Sequence, residues 1–211
     1  YMDQVTTFME SHLKDMRRHP EDKVLTKTMI NNYTKNHVLP SPDKKKYSKD
    51  HVLTLILIYY LKSFLSIKDI QTLLEPITDK YFGTESELSF YELYEELVAQ
   101  GNGQSKALIK DVIAKYNAMQ NAFSDAPEED QEFLRNFGFI CMLSFDVYIK
   151  KMMIETLIDF NSQQRKAAAD QAKEKKAFDV CMKKIEDHKV AVVGIHFLRK
   201  RQRYMPIWRY Y

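Results

Sequence analysis

Between residues 26 and 47 stand side chains able to read and hold a polyanion: Thr26, Lys27, Thr28, Asn31, Asn32, Lys35, Lys44, Lys45, Lys46 and Tyr47. An asparagine amide can pair with the N6/N7 edge of adenine, while lysine and threonine reach phosphate oxygens or guanine. Lys44 to Lys46 put three long, point-charged ammonium groups side by side, which suits contact with a phosphate backbone. Each feature alone also fits an ordinary solvated surface. Their succession, an Asn-Asn helix face followed directly by a lysine turn, is what points to double-stranded DNA.

The elements that must position these residues are legible. Thr26 is an N-cap, and Leu25, Met29, Ile30 and Tyr33 line one face of the helix it opens, leaving the polar residues on the other. Pro40 and Pro42 impose extended or turn geometry, and Pro42-Asp43 is expected at the turn centre. Ser48 caps the next helix, with Asp50 favouring its dipole. That helix carries Val52, Leu53, Leu55, Ile56, Tyr59 and Tyr60 on nearly all sides and is the expected core. His51, a lone histidine, reads as structural or phosphate-facing. Ser66 to Asp69 is a capping-box variant opening a fourth helix, which Pro76 is expected to close. An amphipathic helix over residues 2–18 precedes all of this, through Val5, Phe8, Met9, Leu13 and Met16.

The order of helix, Leu-Pro turn, basic segment, Tyr47-Ser48, apolar helix and Ser-Ile-x-x-Ile resembles the DNA-binding head of the MerR regulators. The chain is still more similar to a bacterial family of unknown function, numbered eighteen thirty-six. The run TKTMINNY, the lysines before Tyr-Ser and the LK-x-x-LSI segment carry that likeness, closely over residues 24–76. The stretch from Phe137 to Ile158 is similar more loosely. The resemblance implies a winged helix-turn-helix that binds DNA. Where MerR heads carry Arg-Tyr-Tyr, this chain has Asn31, Asn32 and Tyr33 and keeps only the tyrosine.

Beyond residue 76 the sequence predicts more helix. Ser89 to Glu92 is a capping box for a helix to Gln100, with Phe90, Leu93, Leu97 and Val98 as its apolar stripe. Gly101 and Gly103 are expected to break it before another helix at 105–123. Phe90, Tyr91 and Tyr94 suit either a core or a ligand pocket. Pro127 starts a further helix whose first turn holds Glu128, Glu129 and Asp130, and residues 133–160 are predicted as a buried central helix long enough for a dimer seam. Residues 163–176 read as a solvated helix or arm, residues 190–197 as a strand or helix end. The tail from 198 to 211 interleaves arginine and lysine with Tyr204, Trp208, Tyr210 and Tyr211, a pattern for phosphate and base contact or a membrane interface.

Composition bounds the rest. With 5 Gly and 6 Pro in 211 residues, a turn-rich all-β fold is disfavoured and an all-α, mainly helical chain is expected. Net charge is +4 over residues 24–76, −8 over 77–160 and +8 over 161–211. This asymmetry suggests basic ends able to meet nucleic acid around an acidic middle. The expected domains are a winged helix-turn-helix head with its N-terminal helix, 1–76, and a helical dimerisation or effector domain with the basic-aromatic tail, 77–211. Cys141 and Cys181 lack ligand or C-x-x-C spacing and read as reduced thiols of a cytoplasmic protein. No apolar run approaches a membrane span. The chain begins with Tyr1, so it is expected to be a fragment or a processed product. No phosphate loop, nucleophile elbow or clustered metal ligands are present, so no catalytic residues, cofactor or metal are expected. The expected function is a homodimeric, MerR-like DNA-binding transcriptional regulator, with room for a small-molecule effector. The alternative is a non-enzymatic protein-interaction or sensing module that has lost DNA.

Overall fold

The computed structural model describes residues 1–84, 87–166 and 180–185. Among them the regular structure is helical, and the only β feature is an isolated bridge between Asp43 and Lys46. The helices are α1 (Met2–Leu13), followed by a 3-10 turn (Lys14–Met16), α2 (Lys27–Lys35), α3 (Lys49–Leu61), α4 (Ile67–Tyr81), α5 (Phe90–Gln120) and α6 (Glu128–Lys166). The chain divides into two compact units, residues 1–147 and 148–211. The segment 190–197, the tail and most of the arm lie outside the described residues.

The caps read from sequence hold four helices in register. Thr26 Oγ1 accepts the amide of Met29 at 3.2 Å. Ser48, Ser66 and Ser89 each form reciprocal capping boxes with His51, Asp69 and Glu92. Each box satisfies amides that the first turn leaves without helical partners. The Ser89 contacts also hold the Glu92 carboxyl below its usual range.

The core of the first unit joins Val5 and Met9 of α1, Ile30 and Tyr33 of α2, Leu55 and Ile58 of α3, and Ile70 and Leu74 of α4. Val24, Leu25, Val38 and Leu39 fill the connections. Lys62, at the end of α3, reaches back to the Val24 carbonyl at 3.1 Å, and burial lowers its pKa.

Helix α1 stops at Leu13, short of the expected residue 18, and three expectations about the later helices change as well. Pro76 does not close α4; it lies inside a helix that runs on to Tyr81. A mid-helix proline costs about 3 kcal/mol. The continuation carries Phe82 into edge contact with His51 at 4.7 Å and Phe90 at 6.0 Å, where its aromatic ring is covered. Gly83 follows at positive φ and donates its amide to Asp50 Oδ2 at 2.9 Å, tying the end of α4 to the start of α3.

Gly101 and Gly103 do not break α5, which is one helix of 31 residues. Two glycines cost about 1 kcal/mol each, less than stopping a helix and nucleating another.

The third change concerns residues 133–160. They are helical, but Phe133, Phe137, Ile140, Phe145 and Val147 are exposed rather than buried. Within the first unit α5 covers one side of this stretch. Tyr116 meets Phe139 at 5.5 Å, Arg135 donates to the Ala122 carbonyl at 3.2 Å, and Lys115 pairs with both Asp111 and Asp146. Gly138 makes room for Met119 and Phe123, which would lie 2.8 and 3.1 Å from a Cβ placed there.

In the second unit Thr156 and Ile158 of α6 are buried, as is Cys181 in the helical residues 180–185. Lys184 Nζ donates to Thr156 Oγ1 at 3.2 Å. Neither cysteine is in a disulfide.

Candidate nucleic-acid interface

The candidate site is built on α2 and the connection that follows it. Burial of Ile30 and Tyr33 fixes the rotation of α2, and that rotation leaves Lys27, Thr28, Asn31, Asn32 and Lys35 exposed. Thr26 is half-buried and its hydroxyl is committed to the cap, so it positions the helix rather than facing outward. Lys27 is held by Asp3 of α1 in an exposed ion pair. Among the described residues no hydrogen bond or ion pair engages the side chains of Asn31, Lys35, Lys44, Lys45 or Lys46. The Asn32 carbonyl accepts from the side chain of Asn36 at 2.8 Å.

Helix α2 ends in a turn made by His37, whose φ is 55°. The amide of His37 bonds the Thr34 carbonyl at 3.1 Å, and that of Val38 bonds the Tyr33 carbonyl at 2.9 Å. A left-handed residue commonly caps helices in this way, usually glycine, while buried residues on either side of the turn meet. Here Tyr33 and Val38 are that buried pair. The Leu39 amide also bonds the Tyr33 carbonyl, at 3.2 Å. Val38 and Leu39 are thereby anchored to the last turn of α2, and the lysine segment follows a few residues on.

The lysine segment is a tight two-residue hairpin. The Lys46 amide bonds the Asp43 carbonyl at 2.7 Å, and Lys44 and Lys45 have φ of 45° and 65°. The turn centre is therefore Lys44-Lys45, not Pro42-Asp43. Positive φ at both central positions defines the turn type that matches strand twist and that favours Asn-Gly. Lysine at both places carries backbone strain, which persists only where surrounding structure imposes it. All three lysines are exposed.

His51 underlies this hairpin and is 4% exposed, so it is structural and not phosphate-facing. Its Nδ1 accepts the Ser48 amide at 3.0 Å, and its ring meets Tyr47 edge-on at 5.3 Å. Nε2 is buried without a hydrogen-bond partner. Burial lowers the His51 pKa, while the backbone of Ser41 and Pro40 and the charge of Asp50 pull the other way. Tyr47 is half-buried and its phenol is pushed up by burial; it supports the hairpin more than it extends from it.

Sequence reasoning missed the long-range ties that hold this region: Asp3 to Lys27, Lys62 to Val24, and Asp50 to Gly83. No local pattern marks them. It also offered Phe90, Tyr91 and Tyr94 as core or pocket residues, and Tyr94 is half-buried. Phe90 is core, and Tyr91 sits under the Lys49 ammonium, 3.0 Å from the ring centroid, while bonding Glu95.

A groove of about 850 Å³ opens beside the start of α2, with Thr6, Glu10, Arg17, Asp22, Thr26 and Thr28 among its walls. Among the described residues no group of His, Cys, Asp or Glu could hold a metal ion, and no helix is long and apolar enough to cross a membrane.

Residues 1–97 match the model of a domain of unknown function, DUF1836. The match takes in α1 and the first turns of α5 as well as residues 24–76, so the short-helix unit and its flanks are similar to that domain together. No curated protein and no solved structure matches the chain.

Proposed function

We propose that the DUF1836-like part of this chain is a sequence-specific DNA-binding head of MerR-like, winged helix-turn-helix type, in a homodimeric transcriptional regulator. The observation that carries the reading is the fixed rotation of α2. Its apolar side is buried, its outward side presents Lys27, Thr28, Asn31, Asn32 and Lys35, and a hairpin of three exposed lysines follows the turn that closes it. Asn31 and Asn32 would meet base edges, while Lys35 and the hairpin lysines would neutralise phosphates. Lys27 would have to leave Asp3 to join them, a small cost for an exposed pair.

The test is binding to genomic DNA fragments at several salt concentrations. Each phosphate contact contributes a slope of about 0.9 to the fall of log K with log salt. Replacing Lys44, Lys45 and Lys46 by alanine should therefore weaken binding to all sequences and flatten the slope by about 3. Replacing Asn31 or Asn32 should relax sequence preference at one position, with a loss of about 1–3 kcal/mol. No preferred fragment and a flat salt dependence would sink the reading.

The groove gives an effector a location. A molecule seated there would touch Thr26 and Thr28 and so bear on the first turn of α2. A metabolite screen by thermal shift addresses this directly, since a ligand at 100 times its Kd stabilises by about 2.7 kcal/mol.

A further inference from the structure

The outward side of α6 carries a repeat that the DNA reading does not use. Phe133, Phe137, Ile140, Ser144 and Val147 follow one another at steps of four, three, four and three residues. That alternation is the 3.5-residue spacing of a coiled-coil seam. At 3.6 residues per turn these positions lie roughly half a turn from Arg135, Gly138, Phe139 and Asp146, which face α5. The apolar members are 69, 55, 60 and 60% exposed, in the order Phe133, Phe137, Ile140, Val147. Phe133 and Phe137 stack on one another, 6.4 Å between centroids.

Charge singles out the same surface. Residues 77–160 are strongly acidic, yet from Phe133 to Val147 the only ionised side chains are Arg135 and Asp146. Both are turned inward, Arg135 onto the Ala122 carbonyl and Asp146 onto Lys115. The residues flanking the stripe are Leu134, Asn136, Cys141 and Leu143, none of them charged. A second acidic chain could approach here without meeting a like charge.

We infer that this stripe of α6 packs against the same stripe of a second copy of the chain, antiparallel, with Ile140 at the two-fold axis. Area supports a pair. At roughly 150–200 Å² per large apolar side chain, the exposed fractions of the four residues come to about 430 Å² per copy. Two copies reach about 850 Å², and exposed Asn136 and Ser144 on the same side carry the pair toward the roughly 1,000 Å² lower bound for a specific interface. Direction follows from the first turn of α6. A parallel, in-register pair would bring together two sets of Glu128, Glu129 and Asp130, and an antiparallel pair keeps them apart. An antiparallel pair also sets Phe133 against the partner's Val147. The inference gives the dimer of the proposed function its surface, and rests on that reading only for the use to which the pair is put.

The test reads mass in solution, not DNA. Sedimentation of the full chain at about 1–100 µM should give a dimer. Ile140→Glu and Ile140→Lys should each be monomeric with unchanged helical circular dichroism, and mixing the two should restore dimers, which a misfolded variant would not do. Phe133→Glu mixed with Val147→Lys should pair, and Phe133→Glu mixed with Phe133→Lys should not. A monomeric wild type, a dimer that survives Ile140→Glu, or failure of the Glu/Lys mixture to reassociate would overturn the inference. Pairing of only the two Phe133 variants would overturn its direction. None of these outcomes touches the salt-series test of α2, so the two proposals fail separately.

Discussion

Two stretches of the first unit solve the same problem in opposite ways. From Val24 to Leu74 the helices are short, of 9 to 15 residues, and each buries a side in a shared core. From Phe90 to Val147 two long helices meet along one seam and leave large apolar side chains in the open. The difference lies in where strain is carried. Among the described residues, three of the four non-glycine residues with positive φ are His37, Lys44 and Lys45, all beside α2; the fourth, Phe123, lies in the turn after α5. A dense core can hold unfavourable backbone in place. A two-helix hairpin has less packing to set against it.

The largest effects should separate the two stretches. Ile58→Ala, in the dense core, should cost about 2–5 kcal/mol of stability by leaving a cavity. Ile140→Ala should cost the isolated monomer less than about 0.5 kcal/mol, as surface changes do. Urea unfolding of both variants, the second in the monomeric Phe133→Glu background, checks the contrast, and equal losses would erase it.

A smaller gain is expected within the hairpin. A Cβ at Gly101 or Gly103 meets nothing within 4 Å, and both glycines are helical. Gly101→Ala and Gly103→Ala should each stabilise by up to about 1 kcal/mol. A thermal melt of the double variant that shows no rise in Tm would mean that α5 is not continuous there.

Smaller again is the strain beside α2. His37→Gly should stabilise by a few tenths to about 1 kcal/mol, because glycine carries no Cβ penalty at a left-handed cap. Replacing Lys44-Lys45 by Asn-Gly should raise Tm in the same way while removing two of the proposed phosphate contacts. Stability and DNA affinity would then move in opposite directions, and parallel changes would dissociate strain from function.

The finest effect is a pH dependence confined to the dense stretch. The His51 pKa is lowered in the folded chain from its ordinary 6.5, so the unfolded chain binds the proton more readily. Its contribution to stability is present above pH 6.5 and is lost progressively as pH falls from there to the folded value. His51→Gln should flatten Tm across that window; an unchanged slope would assign the dependence to other groups.

The sequence by itself determined the local features. Thr26, Ser48, Ser66 and Ser89 cap the helices where their types and spacing say they should, because a cap is an interaction across three residues. The buried side of α2 was equally legible, since 3.6-residue periodicity fixes which side chains share a face. The tertiary structure alone decided whether a breaker breaks. Pro76, Gly101 and Gly103 carry costs of about 1–3 kcal/mol, which Phe82 in its aromatic corner or an uninterrupted long helix can offset. It alone placed Lys44 and Lys45 at positive φ, where local preference expects Asn-Gly. It also decided that the apolar run after Glu132 stays open, because periodicity says which side chains could be buried and only a neighbouring element can bury them.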